Sequence, residues 1–129
     1  MAKAKILKLP YMGWRFDEIE TDADGHIPLA TVESLIRGSV DSRPPCGEGL
    51  DGLKIMKDEK GRWHQMILNP PATILAGIRE PKDAIFGNTI VCASDANGCM
   101  VGLTDAHEQA LRKRLAELEL NATPYRHLP

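Results

Sequence analysis

The sequence predicts an α+β domain: a mainly antiparallel sheet of about five or six strands, with two principal helices, 28–37 and 105–120, packed on it. Three observations lead there. Short apolar–polar segments are punctuated by the same Asp-x-x-Gly pattern at 22–25, 58–61 and 95–98. Two longer segments carry apolar residues at helical spacing. The chain has 129 residues, 43% hydrophobic and 26% charged, which is ordinary globular composition and enough for one core without disulfides.

In chain order, "AKILKL" (4–9) reads as a first strand and "WRFDEIET" (14–21), with Trp14, Phe16 and Ile19 apolar, as a second. In "IPLATVESLIRGS", Pro28 suits the first helical position and Leu29, Val32, Leu35 and Ile36 form one stripe. Gly38 suits the left-handed position that ends such a helix. "DSRPPCGEGLDG" (41–52), with two prolines and three glycines, reads as a loop, mobile rather than used for contact. "LKIMKD" (53–58) and "RWHQMIL" (62–68) flank "DEKG" as a hairpin, and "NPPATILAGI" (69–78) reads as a proline-started short helix.

After the linker "REPKDAIFG", the strands "NTIVCAS" (88–94) and "CMVGL" (99–103) flank "DANG". This turn pairs Ser94 with Cys99 and sets Cys92 opposite Val101, so Cys92 and Cys99 lie diagonally. In the last helix Thr104 is the expected N-cap, and Asp105 and Glu108 put negative charge in the first turn. Leu111, Leu115 and Leu118 face the sheet, His107 sits at the edge of that face, and Lys113 and Glu117 are spaced for a weak surface pair. The expected organisation is one domain, 1–120, followed by a C-terminal tail, 121–129.

Charge and composition exclude several function classes. A net charge of −2 argues against a surface built to neutralise many phosphates. "LRKRL" (111–115) reads as a solvated helix face, since Glu117 and Glu119 follow at once. Lys3, Lys5 and Lys8 resemble the lysines that discourage pairing at a sheet edge. "ATILAGI" (72–78) is far too short to span a bilayer, and "MAKAKILKLP" has no signal-peptide core, so a cytoplasmic protein is expected. Cys46, Cys92 and Cys99 are an odd number without a C-x-x-C pair, which suits reduced, partly buried thiols.

"ETDADGHI" (20–27) imitates the start of a calcium-binding loop. With Gly25 at the sixth position, Glu20, Asp22 and Asp24 take the first, third and fifth. The twelfth is then Thr31, which cannot supply a bidentate carboxylate, and no entering helix precedes. The stretch is better read as a turn, and neither a metal nor a cofactor is expected. His26, His64, His107 and His127 form no paired ligand motif, and no nucleophile elbow or phosphate-binding glycine loop is present. An enzyme would need distant groups to converge, in a pocket holding at least two of His26, His64, His107 and Cys46.

"GNTIVCASDANGCMVGLTDAHEQALRKRL" (87–115) resembles the C-terminal part of a small uncharacterised α+β family carried by phages, plasmids and integrated elements. The shared pattern is a Gly-led strand, an acidic-Gly turn, a second strand, and Leu103-Thr104-Asp105 opening the last helix. "LNPPAT" (68–73), "AKILKL" and "PLATVESLIRGSV" resemble the rest, while the 41–52 loop and the tail depart from it. The resemblance implies an accessory protein acting on host machinery, including inhibition of host defence. With no catalytic motif and near-neutral charge, the expectation is a non-enzymatic protein that binds a host protein through exposed surface, the 41–52 loop or a sheet edge. The alternative is a small-ligand or nucleotide-binding protein, with Trp63, Asn69, Thr73 and Arg79 lining a pocket beside the 69–78 turn.

Overall fold

A computed structural model describes residues 2–10, 13–61, 63–64 and 67–120. Its strands are β1 (Lys3–Leu9), β2 (Arg15–Glu20), β3 (Val40–Arg43), β4 (Leu53–Asp58), β5 (Thr89–Ser94) and β6 (Met100–Val101). Its helices are α1 (Leu29–Ile36), α2 (Pro70–Leu75) and α3 (Asp105–Glu117). The six strands form one sheet in the order β2-β1-β5-β4-β3, with β6 continuing alongside β5. Every pairing is antiparallel, as an α+β fold requires.

Side chains alternate across the sheet, so neighbouring residues of the central strands enter different cores. Leu7, Leu9, Ile55, Val91 and Ala93 face α2 and α3, and join Leu75, Leu111 and Leu115. Ala4, Ile6, Met56, Ile90 and Cys92 face α1 and join Val32 and Ile36. The sheet is therefore covered on both faces, which is why "IVCA" (90–93) is apolar throughout. Burial in β5 also pushes the Cys92 thiol up to about 11. Among the described residues no helix is long and apolar enough to cross a membrane.

Several details depart from the sequence reading, each for a packing reason. β1 is not an edge but lies between β2 and β5. Its lysines serve inside the fold: Lys5 reaches Asp105 at 3.0 Å and Glu108 at 2.7 Å, and Lys8 reaches Asp17 at 2.9 Å. The left-handed residue ending α1 is Arg37, at φ 59°, and Pro28 is the N-cap. Gly38 is needed for a different reason, since a Cβ there would overlap the Asp58 carboxylate.

The 41–52 segment is not a free loop. Residues 41–43 belong to β3, which occupies the outer edge of β4. Beyond β3, Leu50 is in the core, the Cys46 N–H donates to Leu75 O at 2.7 Å, and Cys46 O accepts from Arg114 Nε at 2.8 Å. With both edges of β4 taken by β3 and β5, the expected 53–58/62–68 hairpin does not form. Trp63 and His64 lie in a turn, while Arg62, Gln65 and Met66 of that expected strand fall outside the described residues.

The β5–β6 register is also shifted by one. Ser94 faces Met100 and Ala93 faces Val101, because Asp95 and Cys99 close the turn themselves through Asp95 N–H to Cys99 O at 2.9 Å. Gly98, at φ 83°, supplies the left-handed residue of that wider turn. In α3, Thr104 accepts from the His107 N–H at 3.1 Å while His107 Nδ1 accepts from the Thr104 N–H, so His107 completes a capping box. The helix ends at Glu117, and Glu117 pairs with Arg114 at 3.7 Å. The tail expected at 121–129 lies outside the described residues.

Two tests follow from this packing. Gly38→Ala should destabilise the protein by about 1–3 kcal/mol in urea unfolding, the cost of forcing a methyl into a filled site. The second concerns pH. Lys5, and then Arg112, hold the Glu108 carboxyl below its ordinary 4.5. A depressed carboxylate adds stability above its unfolded pKa and loses it as pH falls through the folded one. Between about pH 5 and pH 3, wild type should therefore lose more thermal stability than Lys5→Met, measured by melting in the same buffers.

Candidate functional site

The site is built around one buried amide. Asn69 precedes Pro70, so it occupies the N-cap of α2, and its Oδ1 accepts from the Ala72 N–H at 3.0 Å. Its Nδ2 donates to Leu9 O at 2.7 Å and to Gly87 O at 2.8 Å. One side chain thereby joins the end of β1, the entry to β5 and the start of α2. Thr73 extends the connection: its hydroxyl donates to Asn69 O at 2.8 Å and accepts from the Ile85 N–H at 3.0 Å. Asn69 N–H to Ile85 O and Gly87 N–H to Ile67 O, at 2.8 and 2.7 Å, run 67–69 antiparallel to 85–87.

That frame determines what α2 can bury. The helix has six residues, of which Pro71, Ala72 and Leu75 enter the core. Ile74 points away and is 41% exposed, beside Leu68 at 44%. Together Leu68, Pro70, Ile74, Ile78, Pro81 and Phe86 line an open groove of about 350 Å³, with Arg79 and Glu80 also on its lining. Clustered apolar exposure of this kind, unlike scattered surface leucines, is the mark of a contact surface.

A polar cleft of about 280 Å³ adjoins the groove, sharing Ala84 and Phe86 with it. Arg43, Lys57 and Lys82 face Glu59 and Asp83 there, with Trp63 on the lining and 82% exposed. Lys57 is paired with Asp41 at 3.0 Å and Lys82 with Glu80 at 3.6 Å. The cleft is thus close to charge-balanced, and an amphipathic tryptophan stands beside it.

Asp58, which ends β4, is almost wholly buried yet satisfied. Its carboxylate accepts from the Lys60 N–H at 3.1 Å and meets His64 Nδ1 at 2.6 Å. Gly38 leaves room for it. A carboxylate holding an imidazole is half of a proton-transfer arrangement. Among the described residues lining the adjoining cleft there is no hydroxyl or thiol. The Asp58–His64 bond spans the turn that carries Trp63.

The residues expected to form a pocket are divided by the structure. Thr73 and Arg79 lie together on the groove, Trp63 lines the cleft, and Asn69 is buried between strands and helix with its amide fully engaged. The groups whose convergence an enzyme would need stand apart. His26 is beside Asp95, His64 on Asp58, His107 in the α3 cap, and Cys46 against Leu75 and Arg114; His127 lies outside the described residues. The basic run of α3 is largely engaged: Arg112 bonds Glu108 at 2.8 Å and lies 4.7 Å from the Phe16 ring centre, while Arg114 holds Cys46 O. Asp22 serves its turn, its Oδ1 accepting from the Asp24 and His26 N–H groups at 2.9 Å each.

Sequence reasoning missed the groove wall itself, Ile74, Ile78 and Phe86. A signal was present, because a helix of one and a half turns cannot turn every apolar residue of "PPATIL" inward.

Asn69→Ala removes the α2 cap and one of the two side-chain donors to Leu9 O, which keeps the Thr89 hydroxyl at 3.0 Å, so it should cost about 2–4 kcal/mol in urea unfolding. Trp63→Ala, at an exposed position, should stay within about 0.5 kcal/mol of wild type in the same assay. Compared with protein-family models, curated proteins and solved structures, the chain matches none significantly, so the likeness over 87–115 gains no family behind it and the functional reading rests on the geometry above.

Proposed function

We propose that this chain is a non-enzymatic interaction protein that seats an apolar segment of a partner protein in the groove beside α2. The observation that carries the proposal is the exposure of Leu68 and Ile74 on one open groove, with the exposed Trp63 on the adjoining cleft. An aromatic anchor, an apolar centre and a rim of paired charges are the ingredients of a protein interface. The groove wall is tied by Asn69 and Thr73 before any partner arrives, which lowers the ordering cost of binding. That the partner is a host protein, and the chain an accessory of a phage or other mobile element, rests on the resemblance of 87–115 alone.

A small-ligand reading is second, supported by a volume within the roughly 300–1,000 Å³ of small-molecule sites. It is weaker for nucleotides, because the Thr73 hydroxyl is already spent on Asn69 O and Ile85 N–H.

The test is comparative affinity capture from lysate of the host in which the chain is encoded. A protein retained by wild type and by Lys113→Ala should be lost from Ile74→Asp, with an affinity reduced by about 30-fold or more if the groove is the centre of the interface. Equal recovery by Ile74→Asp would contradict the proposal. Release of a small molecule from purified protein, detected by mass spectrometry, would favour the second reading.

A further inference from the structure

Two acidic turns remote from the groove meet at a set of unlike donors. The first turn, 22–25, delivers His26, whose N–H is held by Asp22 Oδ1 at 2.9 Å. The second opens with Asp95 and closes with Cys99, and Asp95 Oδ1 accepts from the Asn97 and Cys99 N–H groups, each at 2.9 Å. The next backbone bond, Ile27 N–H to Met100 O at 2.8 Å, clamps the turns together. The bonds to Asp95 Oδ1 leave Oδ2 turned toward His26 Nε2, 3.4 Å away. Ring nitrogen, carboxylate oxygen and the Cys99 sulfur all lie within 4.8 Å of one another, and each of the three residues is partly buried.

From this geometry we infer that His26, Asp95 and Cys99 form a binding site for a divalent transition-metal ion of the zinc class. Ligand bonds of about 2.0–2.3 Å in a tetrahedron separate the donors by about 3.3–3.7 Å, which the His26–Asp95 spacing already meets. Bringing all three into that range takes side-chain shifts of about 1 Å. Imidazole, carboxylate and thiolate together select zinc, cobalt or nickel over calcium and magnesium, which take oxygen alone. This differs from the calcium loop that "ETDADGHI" imitates, because the donors come from two turns and include nitrogen and sulfur. Binding displaces the Cys99 thiol proton to solvent, leaves one position for water, and staples the β5–β6 turn to the segment entering α1.

Cobalt titration of the full, reduced chain tests the site, because a cobalt–thiolate bond gives a near-ultraviolet charge-transfer band. The band should saturate at one cobalt per chain, be displaced by zinc, persist in Cys46→Ser and vanish in Cys99→Ser. His26→Gln and Asp95→Asn should each weaken cobalt binding by more than about tenfold; the asparagine keeps Oδ1 for the turn. Zinc should raise the melting temperature of wild type and Cys46→Ser but not of His26→Gln. No band at saturating cobalt, or a band that survives in Cys99→Ser or depends on Cys46, would overturn the inference.

Discussion

The structure depends on the placement of a single buried amide. The Asn69 side chain touches the end of β1, the approach to β5 and the first turn of α2, and it uses both donor hydrogens and its oxygen to do so. The buried carbonyl of Leu9 takes donors from Asn69 and Thr89, and the part-buried carbonyl of Gly87 takes its own from Asn69. Asparagine alone offers two donors and an acceptor on a side chain this short. Once it is in place, α2 can turn in only one way, with Leu75 inward and Ile74 outward, and the groove is the consequence.

The sequence made the sheet legible where local chemistry is decisive. Asp at the head and Gly at the foot of each acidic turn, the Thr104 cap, and the Leu111–Leu115 stripe are written in residues a few positions apart. What it hid was decided by distant partners. β3 could not be read from "DSR" because its strand character comes from the open edge of β4, which appears only once β5 has taken the other edge. Gly38 looked like a helix cap and is instead a gap for Asp58, twenty residues further along. The lysines of β1 looked like edge protection, yet β1 is interior, and Lys5 pairs with Asp105 and Glu108 of α3 and Lys8 with Asp17 of β2. For the site, Thr73 and Arg79 could be placed near one another from the sequence, but the exposed wall could not, because its exposure follows from the direction in which Asn69 sets α2.

Two different surfaces thus lie at the two ends of β5. Near Thr89, the Asn69 network supports an apolar groove with a polar cleft and a tryptophan beside it. Beyond Ser94, the chain's paired turns gather nitrogen, oxygen and sulfur donors. The first suits a protein segment and the second suits a metal ion. They share no residues, so a change at one can be read without disturbing the other.

The groove wall is rigid before anything binds, because the Asn69 and Thr73 side chains reinforce the short antiparallel pairing of 67–69 with 85–87. Native-state hydrogen exchange measures this directly on the Asn69, Ala72 and Ile85 amides, which donate to Ile85 O, Asn69 Oδ1 and Thr73 Oγ1 respectively. The account requires these three to exchange as slowly as the amides of β5, through global unfolding. Exchange at the rate of the exposed 22–25 turn would contradict it, and the groove would then have to form only when a partner arrives.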